Sequence, residues 1–236
     1  MPTNINFKYG DKELEIVKDF LYLGIKFSRS GSFRNAKKEL ANRGTKAMYE
    51  VLKRGRLHNL SIQCQLELFD SMIKPIILYW CEISGFGNNE IIERIHWKFC
   101  KLLLHLKTST PDYMVYGKLG RYPISIDIKV RMIKFWCKLI MGKQSKLSHI
   151  CYKLLYNNNL LRHGFSFWIK NIQDILNKSS LSYIWLYQNC ISEKWLSNVV
   201  KMNLIDKFKQ TWSISVDNSP KALNYRLYKK EVSFEN

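Results

Sequence analysis

The hydrophobic pattern of this chain changes period at Ser28-Arg29-Ser30-Gly31 and does not change back. Before that point apolar and polar residues alternate, the two-residue repeat of a half-buried strand. "INFKYG" and "KELEIV" flank Gly10-Asp11, a turn-forming pair, and read as a hairpin; "DFLYLGIKF" reads as a third strand running into the turn at Ser28 to Gly31. Arg29 then falls at a hairpin tip. Gly24 permits close backbone approach, and Gly31 permits a positive φ in the turn. Beyond the turn apolar residues return every three or four positions, the repeat of an amphipathic helix. The expected fold is α+β, mostly α: short N-terminal antiparallel β-hairpins followed by a helical bundle and further helices.

The helical segments can be placed individually. In "RNAKKELANRGTKAMYEVLKR" one face collects Ala36, Leu40, Gly44, Ala47, Met48 and Val51. "SIQCQLELFDSMIKPIILYWCEI" opens with Ser61 as a cap and contains Pro75, which predicts a kink or break. "NNEIIERIHWKFCKLLLHLK" puts Ile91, Ile95, Phe99, Leu102 and Leu106 on one stripe, with Trp97 and Leu104 opposite as a second packing surface. Pro111 opens a shorter helix, and "SIDIKVRMIKFWCKLIM" makes another. "KLSHICYKLLYNNN", "GFSFWIKNIQDILNK" and "ISEKWLSNVVKMNLIDKFKQTW" are helical in period, with the clearest break at Asn157-Asn158-Asn159.

Charge narrows the choice of partner. The chain has 38 Lys and Arg against 19 Asp and Glu, a net +19, and 46% hydrophobic residues, enough for a sizeable core. Such a charge draws polyanions, nucleic acid first and anionic membrane second. The start lacks the basic-then-apolar order of a signal peptide, and no apolar run is long enough to span a bilayer. Six scattered cysteines (Cys64, Cys81, Cys100, Cys137, Cys151, Cys190) read as reduced, buried thiols rather than a disulfide framework. The expected location is intracellular, nucleus or cytoplasm, and not secreted. His96 and Cys100 form half of a zinc site, to which His149 and Cys151 could add the rest; no Cys-x-x-Cys or His-Glu-x-x-His supports it. No metal and no cofactor is expected.

The order of several fragments resembles the C-terminal part of reverse transcriptases from non-LTR (LINE-like) retrotransposons. They are "FLYLGIKFSRSGSF", "LELFDSMIKPIILYWCEISGFG" and "IERIHWKFCKLLLHLKTSTPDYMVYGKLGRYPI". In that family a Phe-x-Tyr-Leu-Gly hairpin follows the catalytic palm motif. Pro-x-x-x-Tyr-Gly-x-Glu-x-Trp-Gly, Phe-Cys-Lys and Tyr-Gly-x-Leu-Gly-Arg-x-Pro come next. The resemblance covers about residues 10 to 145 and only loosely the tail. Trp80 and Ser84 depart from it, standing where the family has Gly and Trp.

The resemblance implies a division into residual palm strands and a primer-grip-like hairpin (1–33), a thumb-like helical bundle (34–145) and a C-terminal helical extension (146–236). It also implies a truncated or separately encoded piece that does not polymerise by itself. The family holds two magnesium ions on paired aspartates, and no Asp-Asp occurs among the eight aspartates here. A thumb would bind template-primer nucleic acid, an RNA–DNA or DNA duplex, by phosphate contacts that read no sequence. On the first helix Lys38, Asn42, Lys46, Tyr49 and Lys53 fall on the side away from the apolar stripe. Arg131, Lys134 and Lys138 form a second stripe, on the helix that buries Ile133, Trp136 and Ile140. Arg29 would meet the primer strand. Glu82, after an apolar run, needs a partner, and Arg121 is the candidate for a structural ion pair.

A second reading is a helical protein-interaction module. Trp168, Trp185, Trp195 and Trp212 in the C-terminal helices would be its anchors. A free-standing hydrolase or nuclease finds no Gly-x-Ser-x-Gly, phosphate loop or carboxylate cluster. A thumb without its palm is expected to expose apolar surface and to associate.

Overall fold

Two small hairpins lead into a helical array in the computed structural model, which describes residues 7–161 and 166–234. Strands β1 (Lys8–Tyr9) and β2 (Lys12–Glu13) pair across the Gly10-Asp11 turn. They are shorter than the pattern predicts, because no residue of either strand is buried and no packed face extends the ladder. Ile5 and Asn6 of the expected first strand lie outside the described residues.

The next segment corrects the sequence reading. "DFLYLGIKF" is not one strand but most of a hairpin: β3 (Asp19–Tyr22) pairs antiparallel with β4 (Ile25–Ser28), Tyr22 opposite Ile25. Leu23 and Gly24 form the tip with φ of 47° and 78°, the two positive values that a type I′ loop requires. A continuous apolar run hid this turn, since Leu23 has none of the usual turn chemistry. Gly24 serves φ rather than close approach; the nearest atom to a Cβ there would be an Arg43 nitrogen 3.8 Å away. Ser28 to Gly31 is the exit from the hairpin, with Gly31 at φ 68°. Arg29 therefore sits at the open end, not the tip, its backbone N–H donating to the Lys18 carbonyl at 2.9 Å.

Helix α1 (Arg34–Leu57) buries Ala36, Leu40, Gly44, Met48 and Val51, with Ala47 half-buried. Ser61 caps α2 (Ile62–Leu68), its Oγ accepting from the Cys64 N–H at 3.2 Å. Phe69–Ile73 then form one π turn before α3 (Lys74–Ile77). Pro75 offers no N–H to the Ser71 carbonyl four residues back, and the wider turn absorbs that conflict within a continuous rod. The break comes later, at Trp80 (φ 61°), before α4 (Cys81–Ser84).

Helix α5 (Glu90–Leu103) buries Ile92, Ile95, His96, Phe99, Cys100 and Leu103. Ile91 and Leu106, expected on the buried stripe, are exposed, because His96 and Cys100 take core positions that a purely apolar count assigns elsewhere. Trp97 and Leu104 are half-buried against the core. After α6 (Asp112–Lys118) and α7 (Ile124–Ile140), α8 (Leu147–Leu160) runs straight through Asn157, Asn158 and Asn159, so the expected break is absent there. Helix α9 (Phe167–Lys178) matches its pattern; Gly164 and Phe165, at its expected start, are outside the described residues. Helix α10 (Ser182–Tyr187) is too short to show a period, α11 (Glu193–Asn218) is the longest, and α12 (Tyr225–Tyr228) closes the chain.

One buried cluster runs from α1 to α11 and includes Met48, Phe99, Trp136, Tyr152, Ile169 and Leu196. It crosses the expected boundary at 145/146: Trp136 Nε1 on α7 donates to the Tyr152 hydroxyl on α8 at 2.9 Å. The described helices α8 to α11 thus share the core of the helices before them. The tail also returns to α6, where Trp212 donates to the Tyr113 carbonyl and Leu119 bridges to Phe234. Among the described cysteines Cys151 is exposed and Cys64 half-buried, so two of six are not the buried thiols that the apolar context suggested. No described helix is long and apolar enough to cross a membrane.

Candidate nucleic-acid interface

Burial on one side of α1 decides what the other side presents. With Ala36, Leu40, Met48 and Val51 held inward, the helix turns Lys38, Asn42, Lys46, Tyr49 and Lys53 to solvent, and all five are exposed. The helix carries eight Lys and Arg against two Glu. Glu39 lies 4.0 Å from Arg43, whereas no ion pair among the described residues holds Lys38, Lys46 or Lys53. At a rise of about 1.5 Å per residue, Lys38 to Lys53 spans about 22 Å. A duplex passes roughly 13 phosphates over that length.

Lys98 on α5 extends this face, its amine 5.3 Å from the Tyr49 ring centroid. The sequence reading missed it because Lys98 belongs to another helix; only packing of α1 on α5 brings the two together. On α7, Arg131, Lys134 and Lys138 are exposed while Ile133 and Trp136 are buried and Ile140 is half-buried. The two stripes stand apart: both helices pack on α5, and no strong contact joins α1 to α7. A third basic group was not legible either. Lys129 on α7 titrates below its ordinary value because burial disfavours its charge and Lys178 and Lys207 repel it. Arg29 is exposed at the open end of the hairpin, five residues before α1.

Lys37 differs from its neighbours. It is half-buried, and its amine donates to the carbonyls of Phe86 at 2.8 Å and Asn88 at 3.3 Å. Burial is the main cause of its fall to about 8.

The expected Glu82–Arg121 pair does not form. Arg121 makes two 2.6 Å bonds to the Asp70 carboxylate and lies 5.8 Å from the Phe69 ring centroid. Burial pushes the Asp70 carboxyl up, but the bond and charge of Arg121 outweigh that and hold it below its usual range. Glu82 is half-buried, and its backbone carbonyl accepts from Trp168 Nε1 at 2.8 Å. Asp70 lies in the π turn, and no sequence pattern announces its bond to Arg121.

Glu93 is a half-buried carboxylate. It accepts from the Tyr116 hydroxyl at 2.6 Å and from the N–H groups of Ile124 and Ser125 at 3.1 and 3.0 Å, which caps α7. His96, beside it, is stacked between Phe69 and Tyr116, and burial lowers its pKa. Cys100 is likewise buried, its thiol pushed up to about 12 by that burial. His149 is buried with Nδ1 2.8 Å from the Leu139 carbonyl, while Cys151 is exposed. No three His, Cys, Asp or Glu side chains among the described residues are grouped to hold a metal ion.

Of the four candidate anchor tryptophans, Trp185 and Trp212 are buried and Trp168 is half-buried; Trp195 is 44% exposed. The aromatic tail therefore serves chiefly as core. No protein-family model, curated protein or solved structure matches the chain.

Proposed function

We propose that this chain is a thumb-like nucleic-acid-binding piece related to non-LTR reverse transcriptases, which holds template-primer duplex without reading sequence and performs no polymerisation itself. The observation that carries the reading is the exposed stripe Lys38, Asn42, Lys46, Tyr49 and Lys53, whose three lysines have no acidic partner among the described residues. Such a row tracks phosphates and releases counterions. Two backbone features accord with the family pattern. Trp80, where the family has glycine, adopts φ 61°, and a Cβ at Gly85 would lie 2.3 Å from the Cys81 carbonyl oxygen. The chain has no Asp-Asp pair to hold the two metal ions of polymerase chemistry. An intracellular location, nucleus or cytoplasm, goes with that reading.

The test is binding to a labelled RNA–DNA primer-template across a salt series, with magnesium and nucleotides in a parallel reaction. The expected result is binding that weakens steeply with salt, with no primer extension. Reversing Lys38, Lys46 and Lys53 to Glu removes at least three phosphate contacts and flattens the log–log salt slope by about 2.7 or more. An unchanged slope in the triple variant refutes the assignment of α1. A second reading, a protein-interaction module, has one observation behind it: Leu186, Tyr187, Ile191 and Trp195 are exposed within ten residues. Absence of any nucleic-acid binding at low salt would favour it.

A further inference from the structure

A groove of about 1490 Å³ lies between the start of α1, the segment after α4, and helices α7, α8 and α9. Pockets for small molecules occupy about 300–1,000 Å³, so this one suits a length of polymer better than a metabolite. Its wall carries a row of aromatic rings. Phe33 meets Phe86 edge-on with centroids 5.7 Å apart, and Phe86 lies parallel to Phe167 within 5° at 6.4 Å. Phe167, at the far end, is 66% exposed.

The charges along the groove are mostly positive. Arg34, Lys37, Lys38 and Arg94 line it, and Glu90 is the one acidic residue among its lining. Glu90 is already engaged by Arg94, with 3.1 Å between Arg94 Nε and the carboxylate. Arg34 and Lys37 also occupy the first turn of α1, which holds no acidic residue, so the positive end of the helix adds to their charge instead of being offset. Lys37 is anchored by two carbonyls and leaves its positive charge uncompensated by a carboxylate in that contact.

From this combination we infer that the groove takes a single-stranded nucleic-acid segment, with bases stacked along Phe86 and Phe167 and phosphates on Arg34, Lys37 and Lys38. Cationic walls with interleaved aromatic rings suit a single strand, whose bases are free to stack, whereas a duplex keeps its bases paired. The inference deepens the nucleic-acid reading and rests on it for the class of ligand. It concerns a different surface from the exposed face of α1 beyond Lys38, so the two can fail separately.

The experiment compares fluorescence anisotropy of the full chain with a 12-nucleotide oligo-dT strand, a 12-nucleotide oligo-U strand and a blunt RNA–DNA duplex. It uses the parent, Phe167→Ala, Phe167→Trp and a Lys46→Glu/Lys53→Glu variant, each checked for folding by thermal melting. Phe167 is 66% exposed, so its replacement should shift the melt far less than loss of a buried ring would. Stacking of one base is worth about 1–3 kcal/mol, which converts to roughly a five- to 150-fold loss of affinity. The expected result is that Phe167→Ala loses at least about fivefold for either single strand and less than twofold for the duplex. Phe167→Trp should restore strand binding, while Lys46→Glu/Lys53→Glu should weaken the duplex most. Equal strand affinity for Phe167→Ala and the parent overturns the groove and leaves the duplex reading standing. A parent that binds the duplex but neither strand does the same. Strand binding that needs Phe167, with no duplex binding, supports the groove and overturns the duplex reading. A parent that binds no nucleic acid, but binds an acidic amphipathic helical peptide in a Phe167-dependent way, overturns both.

Discussion

Asp70→Ala tests the reassignment of the Arg121 ion pair most directly. The two 2.6 Å bonds between Arg121 and Asp70 are charge-assisted and bidentate, the strong kind. The Asp70 side chain is 41% exposed, so water competes for it, while Arg121 is 17% exposed and would be left against the Phe69 ring without this partner. Fully exposed pairs contribute about 0–1 kcal/mol, and breaking a fully buried pair costs about 3–5 kcal/mol. This geometry lies between them, at about 1–2 kcal/mol. For a chain of this length that lowers Tm by roughly 2–8 °C. The assay is a double-mutant cycle of Asp70→Ala and Arg121→Ala in urea melts at pH 7, with Glu82→Ala and Arg121→Ala as the control cycle. The coupling should be about 1–2 kcal/mol in the first cycle and within about 0.5 kcal/mol of zero in the second. Because the folded pKa of Asp70 is depressed, its stabilisation is full above the usual carboxylate value of 3.8 and disappears as pH falls through the lower folded value. A larger coupling for Glu82 than for Asp70, or none for either, refutes the argument.

Three further outcomes follow from the same contacts. A Cβ on Gly44 would lie 2.2 Å from Ile77 Cγ2, and Ile77 is 2% exposed with nowhere to move. Gly44→Ala should therefore destabilise by about 1–2 kcal/mol in urea melts, despite gaining about 1 kcal/mol of helix propensity; a neutral or stabilised variant contradicts the close crossing of α1 and α3. Lys37 titrates near 8 when folded against 10.5 as its ordinary value, so between those values the unfolded chain holds more protons and folding gains stability as pH rises. Relative to Lys37→Met, the parent should improve from pH 7 to pH 9.5 in parallel melts, and a constant gap would contradict the burial of its charge. The hairpin leaves Phe20, Leu21, Tyr22 and Leu23 between 57% and 71% exposed, which supplies an apolar patch for self-association. Leu21→Lys/Leu23→Lys should shift light-scattering mass towards the monomer, and a parent already monomeric at high concentration removes that role for the patch.

Wherever a segment is long enough to repeat, the sequence alone determines its class. The change from a two-residue to a near-four-residue period marks the hairpins and most long helices, and Ser61 marks the start of α2. The exposed stripe of α1 follows from the same arithmetic, because residues on one helix are related by a fixed 100° step whatever packs behind them. What the tertiary structure decided are relations between elements. A run as apolar as "DFLYLGIKF" is compatible with one strand or a hairpin, and burial of Ile25 beside Ala36 and Leu40, with the Tyr79 hydroxyl bonded to the Leu23 carbonyl, selects the hairpin. The partner of Arg121 lies in a π turn 51 residues away, and the groove exists only because α1, α7, α8 and α9 meet around it. Periodicity records which way a side chain leaves its own backbone. It does not encode which distant backbone arrives to meet it, and that meeting is set by the packing of the whole core.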